Sequence, residues 1–151
     1  MDSLIAQAHA REWFYSYQLP DGSTVPTYVG NDINSIHDTR WFMLQSCLDE
    51  RLGNDRSALT VLDLASHQGW FAVNMARAGF SSVLGIDARE SHVKDSQLIR
   101  DIYALEQLSF RQGDIHHLDQ EQLGQFDVVL MLGLLYHLDN PVGALRTCRA
   151  L

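Results

Sequence analysis

Apolar and polar positions divide the chain into two textures, with the change near residue 54. In residues 2–18, Leu4, Ile5, Ala8, Trp13, Phe14 and Tyr17 recur at three- and four-residue intervals behind Asp2 and Ser3, a pattern that predicts a helix. The run LPDGSTVP stops it, because Pro20, Asp21-Gly22 and Pro26 are turn formers. A second helix is expected over 34–52, with Ile36, Arg40, Met43, Leu44, Cys47, Leu48 and Leu52 as its stripe and Gly53-Asn54 as its end.

From Leu59 onward, short apolar runs alternate with helical patterns, as in βαβ units whose parallel sheet is covered on both faces. Strands are expected at 59–65, 82–87, 108–114 and within 126–132, and helices at 69–79, 90–107 and 141–151. The predicted fold is α/β, a Rossmann-like doubly wound and mostly parallel sheet of order 3-2-1-4, with an N-terminal helical extension. Residues 1–53 would form a cap and 54–151 the core. That order leaves the most apolar strand, 126–132, at an edge. Such an edge calls for cover, so a longer protein, truncated here after the fourth strand, or a homo-oligomer is expected.

Composition narrows the classes. The 151 residues are 46% hydrophobic and 20% charged, which fits one globular domain. Eleven basic against nineteen acidic residues give a net charge of −8, so a whole-surface phosphate-binding mode is disfavoured and nucleic acid is not the expected partner. Cys47 and Cys148 lie far apart without a metal-ligand spacing, so no metal is expected. The longest apolar stretch is too short for a membrane span, and Met1-Asp2-Ser3 does not start a signal peptide. A soluble, cytoplasmic protein is expected.

In an open α/β sheet, ligands bind beyond the carboxyl ends of the strands at the switch point, and the candidate residues sit at those ends. Asp63 closes the first strand, followed by the small-residue loop Ala65-Ser66-His67-Gln68-Gly69. Asp87 closes the second, where a carboxylate can accept from both ribose hydroxyls, and Asp114 follows the third. A dinucleotide fingerprint is absent, since only Gly69 matches a GxGxxG glycine, and Asp63 would repel a pyrophosphate. An acidic loop suits a ligand bearing an ammonium and a sulfonium, namely S-adenosylmethionine.

The segments VLDLASHQGWFA, VLGID, RQGDI and FDVVLMLGLLYHLDNP resemble, in order and spacing, the successive motifs of class I S-adenosylmethionine-dependent methyltransferases over residues 59–145. The resemblance implies that Asp63 and the loop residues Ala65, Ser66, His67 and Gly69 hold the methionine part. It implies that Asp87 and Ala88 meet the ribose, that Asp114 and Ile115 meet the adenine, and that Leu132 and Gly133 lie beside the sulfonium. The chain departs from the family's DxGxGxG loop by having Ala65 and His67 at the first two glycine positions. LLYHLDNP resembles the ending in bacterial small-molecule and tRNA-wobble-uridine methyltransferases. The N-terminal W-F-Y-x-Y-x-L-P-D-G and I-H-D-T-R-W resemble the leading helices of some of these enzymes, which implies a cap over the cofactor.

The acceptor side offers Tyr136 and His137, where a neutral imidazole can take a proton from an oxygen or nitrogen nucleophile or else bond its own turn. His37 and Arg40, one helical turn apart, are candidates for an anionic substrate. Trp13 and Tyr17 are candidates for core packing or for the pocket mouth, and His116-His117 reads as a solvated turn. The function expected is methyl transfer to an oxygen, nitrogen or carbon atom of a small-molecule acceptor. A tRNA-modifying transferase, a non-catalytic cofactor-binding module and a dinucleotide oxidoreductase are the alternatives.

Overall fold

The structure is a computed structural model and describes residues 1–115 and 123–151; His116-His117 falls outside them. The elements are α1 (Asp2–His9), α2 (Asn31–Leu52), β1 (Thr60–Leu64), α3 (Trp70–Arg77), β2 (Ser82–Asp87), α4 (Glu90–Tyr103), β3 (Leu108–Gln112), β4 (Val128–Leu130) and α5 (Pro141–Ala150), with a 3-10 turn at Leu135–His137. The strands form one parallel sheet of order β3-β2-β1-β4, as expected.

Strand pleating sorts the side chains. Val61 and Val83 join the larger core beneath α3 and α4, whereas Leu62, Leu64, Leu84 and Ile86 face a second cluster with Cys148 and Leu151. Alternation therefore places Asp63 with Val61, on the α3 face. At two glycines the packing leaves no room for a side chain. The Phe110 ring lies across both Gly69 and Gly85, and a Cβ on Gly69 would meet Phe110 Cζ at 2.7 Å and Ser96 Oγ at 2.8 Å.

The N-terminal half differs from its expectation. Helix α1 stops at His9, and residues 13–19, non-helical and bent at Phe14-Tyr15, bury Trp13, Tyr15, Tyr17 and Leu19: a period of two, not 3.6. The segment folds back through a turn at Gly22 (φ +85°), with bridges pairing Trp13 to Thr27 and Gln18 to Thr24. On α2 the buried residues are His37 and Leu48, with Trp41, Leu44 and Leu52 partly buried beside them, while the expected stripe members Ile36, Met43 and Cys47 are exposed. The strand that is most apolar in sequence is not the most buried. It is three residues long, only Leu130 is buried, and Leu132, Leu135 and Tyr136 after it are exposed.

Candidate functional site

A cleft of about 520 Å³ opens at the carboxyl ends of all four strands. Leu64, Ala65 and His67 line it after β1; Ile86, Asp87, Ala88, Arg89 and His92 around the end of β2; Gly113, Asp114 and Ile115 after β3; and Leu132, Gly133, Leu134, Tyr136 and His137 after β4. Phe14, Tyr15 and Arg40 reach in from the N-terminal half. Of the expected cofactor residues, Ala65, His67, Asp87, Ala88, Asp114, Ile115, Leu132 and Gly133 line the cleft together, as do Tyr136 and His137.

Asp63, Ser66 and Gly69 lie behind the wall. Asp63 is buried on the α3 face, where Oδ2 has no hydrogen-bond partner, as is also true of the Ser66 hydroxyl. Burial pushes the Asp63 carboxyl up to about 7; the Ala72 backbone amide opposes this and nearby Asp87 adds to it. The missing Gly69 side chain makes room for Phe110 and Ser96, so its service is packing. His37 also departs from expectation. It is buried with neither ring nitrogen partnered, packs on Phe14 and Tyr15 at ring-centroid distances of 5.0 and 4.6 Å, and does not line the cleft. Trp13 and Tyr17 are core residues, the Trp13 indole donating to Ala8 O and the Tyr17 hydroxyl to Gln68 O.

Asp87 is firmly fixed at the cleft wall. Its Oδ2 accepts from the His67 amide at 2.8 Å, and its Oδ1 accepts from the Arg89 amide at 2.9 Å and lies 3.2 Å from His92 Nδ1. The His67 and His92 rings lie with centroids 3.9 Å apart and planes tilted by 31°, and Arg89 Nη1 lies 3.5 Å from His92 Nε2. Burial, reinforced by His92, lowers the His67 imidazole to about 4, so it is neutral at physiological pH. The two loop residues that replace glycines keep a glycine-like backbone, with φ of +56° at Ala65 and +53° at His67.

Sequence reasoning missed His92, Arg89 and Gln68. His92 lies five residues after Asp87, in the first turn of α4, so its place at the start of the helix that follows the strand end is the signal that reveals it. Gln68 is buried and ties the loop to the N-terminal segment: its Oε1 accepts from Phe14 N at 2.7 Å, and its Nε2 donates to Glu12 O and Asp95 Oδ2. Arg11 pairs with the same Asp95 at 2.6 Å, and the Trp70 indole donates to Ser16 O.

On the β4 side, Tyr136 and His137 pair their rings at 4.3 Å on the 3-10 turn, and Gly133 (φ +71°) gives way to the Tyr136 hydroxyl, 3.3 Å from where its Cβ would stand. The His137 backbone amide bonds Leu134 O. Among the described residues its imidazole has no hydrogen-bond partner in the turn.

The family model described as "Methyltransferase domain" matches residues 55–151. The chain belongs to this methyltransferase domain family. Similar curated proteins include the ubiquinone biosynthesis O-methyltransferase of Acinetobacter baumannii (strain AYE), 34% identical over 104 residues that cover 69% of this chain and 43% of that protein. The protein of the same name from Caulobacter sp. (strain K31) is 32% identical over 149 residues, 95% of this chain and 55% of its own. The methyltransferase-family chain thus spans about half the length of these relatives. Among solved structures, the N-terminal domain of EvdMO1 with SAH bound superposes with a TM-score of 0.72 at 22% identity, covering 88% of this chain and 53% of that one. Magnesium protoporphyrin IX methyltransferase (ChlM) from Synechocystis PCC 6803 with bound SAH gives 0.68 at 23%, over 82% and 55%. Both share the fold. Among the described residues no helix is long and apolar enough to cross a membrane, and no cluster of potential metal ligands occurs.

Proposed function

We propose that the cleft binds S-adenosylmethionine and that the protein, in the cytoplasm, directs the methyl group to an oxygen nucleophile of a small molecule. The observation that carries this reading is Asp87, a carboxylate fixed by three contacts at the end of β2 yet facing the cleft. A carboxylate offers about four acceptor sites, so one remains for a ribose hydroxyl. The printed names of the Acinetobacter and Caulobacter relatives support the oxygen acceptor, and the SAH bound in the EvdMO1 and ChlM structures supports the cofactor.

The residues present fit that ligand. The Asp63 carboxyl, behind the β1 loop with Oδ2 unpartnered, would act on a cation at that end of the cleft across the loop and not by direct contact. Ala88 and Ile115 would flank the base with Asp114 at its edge, and Leu132 and Gly133 would line the sulfonium. When bound, the cofactor supplies an already activated methyl group, so the protein's part is mainly positioning. His137, its imidazole at the cleft wall, takes the acceptor hydroxyl's proton. Residues 1–53 cap the site and 54–151 form the cofactor-binding core.

Calorimetric titration with S-adenosylmethionine and S-adenosylhomocysteine, with NAD as control, tests the reading. Both sulfur ligands should bind and NAD should not, and Asp87→Ala should weaken them about a hundredfold, since hydrogen bonds to a charged group contribute roughly 1.5–3 kcal/mol each. A folded sample that binds neither would instead indicate a methyltransferase fold that has given up its cofactor.

A further inference from the structure

Three cleft residues, Phe14, Tyr15 and Arg40, come from outside the stretch that the family model matches. They bring two aromatic rings and one cation to the same opening. The rings are held firmly. Tyr15 lies nearly parallel to Trp70 (17°) with centroids 5.8 Å apart and is edge-on to Phe14 at 5.0 Å, while the Phe14 amide is bound by Gln68. His37 packs on both rings and so sets α2 against them, and one turn further along Arg40 reaches the cleft.

Arg40 makes no hydrogen bond or ion pair among the described residues. Arg11, Arg100 and Arg56 do, with Asp95 at 2.6 Å, with Asp101 at 2.7 Å and with Asp49; Arg51, Arg111, Arg146 and Arg149 do not, but none of these lines the cleft, where exposed Arg40 stands. Arg89, the second arginine of the cleft, is engaged by His92. The Tyr15 hydroxyl likewise has no hydrogen-bond partner among the described residues, although its ring is buried. In a chain of net charge −8, an unpaired guanidinium beside a free hydroxyl and a braced aromatic wall is a local feature, not the edge of a basic surface. The guanidinium fork matches carboxylate and phosphate oxygens and also lies well against flat rings.

Resting on the methyltransferase reading above, we infer that the acceptor is a planar, largely apolar molecule bearing a carboxylate or phosphate group, and that Arg40 is the residue that reads this anion. Phe14 and Tyr15 flank the planar body, and the Tyr15 hydroxyl donates to the same anionic group. Specificity for the acceptor then comes from the cap, and the family-matched core supplies the cofactor site.

The test uses the full chain saturated with S-adenosylhomocysteine, whose own binding is measured first. Two pairs of probes are titrated: 3,4-dihydroxybenzoate against 4-methylcatechol, and phenyl phosphate against phenol. In at least one pair the anionic member should bind about tenfold more tightly, as expected for a charge-assisted contact. Arg40→Gln should bring the members of that pair within about twofold, and Arg40→Lys should keep part of the preference. The pair that responds tells carboxylate from phosphate. Equal binding within both pairs, no binding of any probe, or a preference that survives Arg40→Gln overturns the inference while the cofactor reading stands. Failure to bind S-adenosylhomocysteine overturns both.

Discussion

The two sides of the cleft are built differently. On the β1–β2 side, Val61, Leu62, Leu64, Val83 and Ile86 are almost wholly buried, and polar groups are cross-linked through Asp87, His67, His92 and Gln68. On the β4 side, the strand has three residues, its outer edge carries no partner strand among the described residues, and Tyr136, Val142 and Leu145 are exposed. Polar support there includes Asp127 Oδ2 accepting from the Thr60 amide and hydroxyl, and Asn140 capping α5 through Gly143 N. The side assigned to the cofactor is thus preorganised by this chain's own contacts, and the side assigned to the reacting group is not. Binding and turnover should therefore respond separately to substitution.

The largest effect is expected where the built side holds an uncompensated charge. Asp63 has an ordinary value of 3.8 that burial raises to about 7, so between those values the folded form holds a proton that the unfolded form releases. Its stability contribution is accordingly highest at the acid end of this window and falls as pH rises through 7. Asp63→Asn should stabilise the protein by a few kcal/mol, up to about 4, at pH 8, with the gain vanishing towards pH 4. Urea denaturation across that range reads the difference, and a gain independent of pH would mean that Asp63 is not the group responsible. Gln68→Ala comes next. It strands the partly buried Phe14 amide and breaks the tie between cap and loop, which should cost about 2 kcal/mol. A loss below about 1 kcal/mol would show that aromatic packing alone holds the cap.

Smaller effects sharpen the comparison. His92 Nδ1 steadies Asp87, so His92→Ala should weaken S-adenosylhomocysteine binding about tenfold, or about 1.4 kcal/mol. His92→Asn, whose amide nitrogen can take the place of Nδ1, should restore most of it. Equal losses in the two variants would assign His92 to packing against His67. Ala65→Gly should stabilise by about 0.5–1 kcal/mol, because the left-handed backbone at φ +56° costs an alanine more than the freedom glycine adds to the unfolded chain. Thermal denaturation would reveal a destabilised variant if the Ala65 methyl packs better than this geometry implies.

The strand order and the three strand-end aspartates were legible because two physical patterns repeat without interruption from Leu59: apolar runs for buried strands and helical stripes between them. Asp87 was legible as a cleft residue for the same reason. Asp63 was misplaced because the strand pleat decides between cleft and helix face, and only the pairing register reveals which way an odd-numbered residue points. The N-terminal segment was read at the wrong period. Phe14 sits between the buried positions of a non-helical segment and interrupts an alternation that Trp13, Tyr15, Tyr17 and Leu19 otherwise follow. Hydrophobicity misled at β4, where Val128 and Val129 are only half-buried at the end of the sheet order.

Tyr136 gives the smallest expected change in stability and separates the two sides most cleanly. Its side chain is 77% exposed, and its only ring partner is His137, itself exposed, among the described residues. Removing it deletes little buried apolar area, so Tyr136→Ala should change unfolding free energy by less than about 0.5 kcal/mol. The hydroxyl nevertheless stands over Gly133 at the cleft wall, where the acceptor's reacting atom is proposed to lie. The same variant should leave S-adenosylhomocysteine affinity within about twofold, because the ribose contacts lie across the cleft at Asp87. It should lower the single-turnover rate of methyl transfer. A loss of stability above about 1 kcal/mol would show that the β4 side is packed as firmly as the other. A loss of cofactor affinity would move the boundary between the two sites to the near side of Tyr136.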